Sequence, residues 1–508
     1  MLDGPRRRRR RRRAARILAF ALALGALAGC GRREPGRLHP LLVIGLDGGE
    51  WREVERMWAR GLLPNLHAIA ERGSTAPLRS AYHASPTIWT TIATGRRPDE
   101  HGITDFIVAT PSGDAPVSSS VRRVPALWNM LSRVGKRVAV VGWWASWPAE
   151  EVNGVVISDR ATFSDLDRRV FPPSQQQAFD ADIAAVARDP RGFDLQDLVE
   201  RHDAATARAA ERLAKQGFDA ELLYFRNPDA ASHVLWRYVE PAKFPPLPAA
   251  QEAEGRARLE HIYSTIDAAI GSILAAAPRD TNVVVLSDHG FRPQAPEKTR
   301  VMVDLDAVLV ALGYEARSAA GIDWPHTRLY AYDSPDYIRR NLVRFALAGR
   351  EPHGVVRPTE RAALRAGIER DLRRVRWPGG GPAFEVRDAL PREQKEGGDF
   401  VVRVIVAGAD TSMLLDGKPI AGAVGGLSRL SGTHGPQESG LFLAAGPDIA
   451  RDAALDGIGV HDVAPTLLYA LGQPAAEDMA GKPWTALFTA EFRAAHPPRT
   501  IRSWGPPR

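Results

Sequence analysis

A six-residue apolar run, Leu41-Leu-Val-Ile-Gly-Leu46, stops abruptly at Asp47-Gly-Gly49, and this pattern constrains the fold more than any other feature of the chain. A strand with one wet face alternates apolar and polar residues. An unbroken run of strand length closed by a turn signal suits a strand buried on both faces of a parallel sheet. Similar runs recur at Val138-Ala-Val-Val-Gly142, Glu221-Leu-Leu-Tyr-Phe225 and Asn282-Val-Val-Val-Leu286. Between them, helical periodicity predicts helices over Val124–Val134, Leu195–Lys215 and Gln251–Ala276. The alternation predicts an α/β fold: a doubly wound, mostly parallel central sheet flanked by helices. Ligands of such sheets bind beyond the carboxyl ends of the strands, so the polar residues just after each run carry the functional information.

At 508 residues the chain is longer than one hydrophobic core usually serves. Its 44% hydrophobic and 25% charged residues exclude a disordered or fibrous protein. The main α/β domain is predicted over 41–312 and 401–490. Residues 313–400 differ in character, with helices predicted near Pro335–Leu347 and Thr359–Val375 before Pro378-Gly-Gly-Gly-Pro382, and are expected to form an inserted accessory lobe. The α/β pattern returns with strand-like Phe400–Val406 and Gly440–Ala444 and a helix over His461–Leu471, and residues 491–508 form a tail.

The formal charge of +7 suggests a polyanion partner until its position is considered. Nine arginines, Arg6–Arg13 and Arg16, precede the apolar run Ile17–Ala28; removing residues 1–29, with these nine and Asp3, leaves a formal charge of −1. No nucleic-acid binding is therefore expected. Twelve apolar residues are too few for a bilayer span of about 20, but suit a cleaved export signal. Leu27-Ala-Gly-Cys30 resembles a bacterial lipobox, which implies a signal peptide over 1–29, lipidation of Cys30 and a tether over 30–40. Arg32 is not the aspartate that retains such lipoproteins in the inner membrane. The expected location is the cell envelope, with the chain anchored in the outer membrane and facing the periplasm. Cys30 is the only cysteine, which excludes disulfides within the chain.

Four segments then offer oxygen or imidazole ligands: Asp47 after the first run, Asp229-Ala-Ala-Ser-His233 after the Glu221 run, Asp288-His289-Gly290 after the Asn282 run, and His434 in Ser431-Gly-Thr-His-Gly-Pro436. Asp and neutral His are donors that zinc and manganese accept. Singly, each residue reads equally well as a cap or a hydrogen-bonded polar group; the ordered set carries the signal. A hydroxyl comes from Ser80–Gly95, where Ser85 is expected as a helix N-cap with Pro86 at the first helical position, a place where backbone N–H groups meet an anion.

With Thr94-Gly95-Arg-Arg-Pro-Asp-Glu-His-Gly-Ile103, Asp288-His-Gly290 and His461-Asp-Val-Ala-Pro-Thr466, the sequence resembles the alkaline phosphatase superfamily, most closely the type I phosphodiesterase/nucleotide pyrophosphatase family. The resemblance implies two divalent metal ions, zinc or manganese. One would be held by Asp229, His233 and His434, the other by Asp47, Asp288, His289 and the nucleophile. The family's spacing to Gly95 implies Ser85 as that nucleophile, with Thr87 as the alternative. Pyrophosphatases of this family carry an Asn just after the nucleophile, and Pro86–Trp89 supply none. His101 and His461 also resemble family positions and are assigned supporting roles. The expected chemistry is hydrolysis of a phosphoester, a diester by preference, through a phospho-serine intermediate.

Other readings stay open at this point: a phosphomonoesterase, a phospho-group transferase acting on a lipid or glycan head group, or a metal- or ligand-binding surface lipoprotein without turnover. Trp89, Trp143, Trp144 and Trp147 either line a leaving-group pocket or pack in the core. A sulfatase lacks support, because Ser85-Pro-Thr-Ile-Trp89 has no Arg at the expected position. The lipobox makes a direct prediction: Cys30→Ala should release the protein from membranes, as read by fractionation and N-terminal mass analysis. Unchanged processing with retention in the membrane fraction would reject it.

Overall fold

The computed structural model describes residues 36–506 apart from 111–112, 163–165, 187–194, 319–320, 333–341, 352, 390–393, 395–397 and 406–411. The expected signal peptide and Cys30 lie outside the described residues. Among these residues, no helix is long and apolar enough to cross a membrane.

The four apolar runs are strands of one eight-stranded sheet, ordered Ser74–Leu78, Gly440–Ala445, Asn282–Leu286, Leu41–Leu46, Ala220–Phe225, Val138–Val141, Gly154–Ile157 and Val170–Phe171. The five strands from Asn282 to Gly154 run parallel. The Gly440 strand is antiparallel to the Asn282 strand, and antiparallel pairs also close both edges. Residues alternate across the Leu41 strand: Leu41 and Val43 enter one hydrophobic layer, Leu42, Ile44 and Leu46 the other. Helices Ser85–Thr94, Leu127–Arg133 and Val460–Ala470 contribute to the first layer, and Trp51–Ala59, Pro64–Arg72, Leu195–Ala214 and Ala249–Ala276 to the second. Buried on both faces, the strands have no polar side to present, which is why they read as continuous apolar runs.

A third core gathers Val303, Leu309, Leu329, Phe345, Ile368, Trp377, Phe400 and Met413 around a four-stranded antiparallel sheet and the helix Arg361–Leu372. Residues 313–400 contribute to it. A long antiparallel ribbon, Arg292–Val303 against Val424–Thr433, joins it to the main sheet. The helix expected over Pro335–Leu347 is not formed in its described part, since Leu342–Phe345 is a strand paired with Leu329–Tyr332 and with Phe400–Val404. Short apolar runs do not discriminate helix from strand, and here the cross-strand partners decide.

Gly45 joins the sheet to the helix that begins at Ser85. A Cβ at Gly45 would lie 2.7 Å from the Trp89 ring, so the strand is bare where the helix packs. Gly45→Ala should therefore destabilise the protein by about 1–3 kcal/mol, as expected for an overpacked core. It should also depress turnover by shifting that helix. A urea midpoint equal to that of the parent would reject this packing argument.

Candidate metal centre

Each parallel strand delivers its carboxyl end to the same edge of the sheet, and there the loops converge. Asp47 follows the Leu41 strand, Asp288 and His289 follow the Asn282 strand, and the helix Asn227–Leu235 carries Asp229 and His233 after the Ala220 strand. His434 arrives by the ribbon. Arg292, three residues after His289, pairs with Thr433, just before His434, so the ribbon's root brings two histidines 145 residues apart together. Their rings stack at 3.5 Å and 5°.

His289 Nε2 lies 3.4 Å from Asp47 Oδ1, 3.4 Å from Asp288 Oδ2 and 3.9 Å from Asp229 Oδ1. Asp229 Oδ1 is also 3.4 Å from His233 Nε2 and 3.7 Å from His434 Nε2. Two sets of mutually close donors result, Asp229 with His289 and His434, and Asp47 with Asp288 and His289. His289 thus stands between both sets, whereas the sequence reading gave it to one and put His233 in the other. His233 Nδ1 meets the Gly432 carbonyl at 3.0 Å and His289 Nδ1 the Gly290 carbonyl at 3.0 Å. Such bonds leave Nε2 as the ligating nitrogen. Five buried atoms, Asp47 Oδ1, Asp229 Oδ1, Asp288 Oδ2, His289 Nε2 and His434 Nδ1, have no hydrogen-bond partner. Buried orphans are rare, and this donor set fits zinc or manganese.

Surrounding residues hold the cluster in place, and several carry no signal in the sequence. The Tyr224 hydroxyl donates to Asp47 Oδ2 and accepts from Trp144 Nε1 at 2.6 Å. Gly48 N–H donates to Asp288 at 3.2 Å, and Gly49 N–H to the Ser287 hydroxyl at 2.8 Å, tying the first loop to the third. Asp203, on the Leu195–Ala214 helix, accepts from the N–H groups of Arg226 and Asn227 at 2.8–3.1 Å and so caps the helix bearing Asp229.

Ser85 is the first residue of its helix rather than the N-cap, a position that Ala84 takes without a side-chain bond. The expectation failed because Ala84, though unable to cap through its side chain, has the extended backbone that the N-cap position needs. Ser85 and Thr87 are both buried, yet they point differently. Ser85 shares a helix face with Trp89, four residues on, which packs under Gly45 and against Tyr224 at 4.9 Å between ring centroids. Thr87 shares its face with Thr91, whose hydroxyl meets His101 Nε2 at 3.0 Å. Tyr82 holds the preceding segment by its hydroxyl, 2.9 Å from His461 Nε2. Trp89 and Trp143 are fully buried and packed edge to face, so these two pack in the core, whereas Trp147 is partly exposed and donates its Nε1–H to the Asp167 carbonyl.

The electrostatics follow from crowding. Burial, then the charge of Asp47, push the Asp288 carboxyl well above the usual range. Burial opposes a charge on His289, but Asp288, Asp47 and Asp229 outweigh it and raise its pKa to about 10. Burial and the His289 charge hold His434 down at about 3. His289 raised above the unfolded value of about 6.5 adds stability that is full below that pH and lost as pH rises through about 10. A cation taking Nε2 must displace that proton. Adding zinc to metal-free protein at pH 7 in weak buffer should therefore release at least one proton per molecule. Binding without proton release would contradict this assignment.

Residues 41–437 match the sequence profile of the type I phosphodiesterase/nucleotide pyrophosphatase family. No functionally curated protein matches the sequence. Among solved structures, human ectonucleotide pyrophosphatase/phosphodiesterase 5 is similar at 14% identity and a TM-score of 0.42, over 89% of this chain and all of that one. Phosphonoacetate hydrolase from Sinorhizobium meliloti 1021, in complex with phosphonoformate, is similar at 18% identity and a TM-score of 0.43, over 87% of this chain and 97% of that one. At these scores the overlays say nothing about substrate. The profile spans most of the chain, including every residue of the Asp/His cluster: the protein belongs to the type I phosphodiesterase/nucleotide pyrophosphatase family and is a phosphoric ester hydrolase.

Proposed function

We propose that the protein hydrolyses a phosphodiester with Ser85 as nucleophile, at two divalent cations held by Asp47, Asp229, His233, Asp288, His289 and His434. The observation that carries this reading is the set of five orphaned buried donor atoms at one sheet edge. Bound cations would supply positive charge against the phosphoryl oxygens and favour the ionised hydroxyl. The chain's own part is positional. Ser85 opens a helix whose first turn offers the N–H groups of Ser85 and Thr87 to an anion, because Pro86 has none and the Ile88 N–H donates to the Ala84 carbonyl at 3.1 Å. The Ser85 oxygen attacks phosphorus, one alcohol departs, and water then releases the remaining phosphomonoester from the serine. Tyr224, kept protonated by burial and by the Asp47 charge, fixes that carboxylate by donating to it. The family supports a diester over a monoester. With Cys30 acylated, the reaction would occur at the cell envelope, facing the periplasm.

Ser85→Ala should lower kcat on an aryl phosphodiester by several orders of magnitude with metal content unchanged, since the hydroxyl is lost while the Asp and His donors remain. Thr87→Ala should cost far less. A phosphoenzyme trapped on Thr87, or near-normal turnover of Ser85→Ala, would reassign the nucleophile. Asp229→Asn, by contrast, should lower both metal content and rate. Rates on an aryl phosphomonoester or sulfate ester exceeding the diester rate would overturn the substrate class.

A further inference from the structure

The parallel strands all enter the sheet at the edge opposite the Asp/His cluster, and basic residues stand just before several of them. Arg37 precedes the Leu41 strand, Arg72 the Ser74 strand, Lys136 and Arg137 the Val138 strand, and Arg279 the Asn282 strand. Acids stand among them: Glu71 beside Arg72, and Glu150, Glu151, Asp219 and Asp280 before the Gly154, Ala220 and Asn282 strands. Asp219 accepts from Lys136 Nζ at 3.0 Å and from Arg137 N–H at 2.8 Å, and Asp280 pairs with Arg37 at 2.9 Å. Arg72 and Arg279 flank a cavity of about 380 Å³ whose walls are otherwise mainly apolar, Leu274, Val283 and Pro447 among them.

The first described residues lie at this same edge. Asn282 N–H donates to the Pro40 carbonyl at 2.8 Å, and His39 meets Asp448 at 2.9 Å. Cys30 stands seven residues before Arg37, a reach of at most about 25 Å when fully extended. A compact chain of this length is roughly 60 Å across. A tether so short, leaving from this edge, cannot carry the anchor round to the opposite one. The six-residue Leu41 strand alone holds Asp47 about 20 Å from that edge.

On the reading that Cys30 is acylated, we propose that this edge, through its Arg72–Arg279 cavity, rests on the phospholipid headgroups of the anchoring membrane. The Asp/His cluster then opens to the aqueous side and acts on water-soluble phosphoesters. Arginines pair with headgroup phosphates, and the apolar walls accept the glycerol and upper acyl region. Head groups of the membrane that carries the anchor are out of reach of Ser85.

The chain suits a direct test, because acylation of Cys30 leaves no other thiol. Full-length lipidated protein would be placed in phosphatidylethanolamine–phosphatidylglycerol vesicles carrying a headgroup quencher, with a fluorophore on Pro278→Cys or on Asp105→Cys. Asp105 is exposed beside Phe106, whose ring meets Trp144 past the carboxyl end of the Val138 strand. Strong quenching is expected at 278 and little at 105. Arg72→Ser with Arg279→Ser should weaken quenching at 278 several-fold while hydrolysis of a soluble aryl phosphodiester stays unchanged. Equal or stronger quenching at 105 would overturn the orientation, and an unaffected double variant would overturn the role of the cavity. Mass analysis of the N-terminus separates the two readings. An unacylated Cys30 removes the anchor and this inference with it, whereas acylated protein with the reverse quenching overturns the inference alone.

Discussion

Three carboxylates and three imidazoles share one water-poor edge of the sheet, and much of the surrounding structure follows from keeping them there. Each buried polar atom without a partner costs about 1–3 kcal/mol, and five such atoms meet in this cluster. Such a group persists only where the backbone leaves the side chains nowhere else to go. The Leu41, Ala220 and Asn282 strands are adjacent and parallel, so their ends fix Asp47, Asp229 and Asp288 side by side. The Tyr224 hydroxyl and the Gly48 N–H satisfy the outward oxygens of Asp47 and Asp288, leaving the inward ones free.

The ribbon adds what the sheet cannot. Only the pairing of Arg292 with Thr433 sets His434 against His289, so the third core, carried by the same ribbon, is mechanically continuous with the site. The helix starting at Ser85 is fixed differently, by Trp89 seated on bare Gly45. Its hydroxyl therefore depends on packing beneath the sheet edge, whereas the Asp and His donors depend on strand register. A substitution can disturb one without the other, which makes metal content and turnover separable readouts.

The parts legible in the sequence were those set by local pattern. Strands buried on both faces left continuous apolar runs, and because parallel strands end at a common edge, the residues after Leu46, Phe225 and Leu286 were the ones to inspect. What escaped depends on contacts remote in sequence. The long ribbon carries Pro293 and Pro296 on one strand and Gly425 and Gly426 on the other, and it gives no strand periodicity. Tyr224 reads as one more apolar residue in its run, and the capping of the Asn227 helix by Asp203 comes from a helix 24 residues away. Leu342–Phe345 is a strand only because partners at Leu329–Tyr332 and Phe400–Val404 make it one. The seating of His289 between both donor sets likewise requires three-dimensional distances.

The central claim is that the orphaned donors at the sheet edge are metal ligands, and anomalous diffraction from crystals of the protein grown with zinc or manganese tests it most directly. The account predicts two anomalous peaks about 4 Å apart. One should lie within bonding distance of Asp229 and His434, the other within bonding distance of Asp47 and Asp288. An anomalous map with no peak at this cluster, or with the ion bound by residues elsewhere, would contradict it.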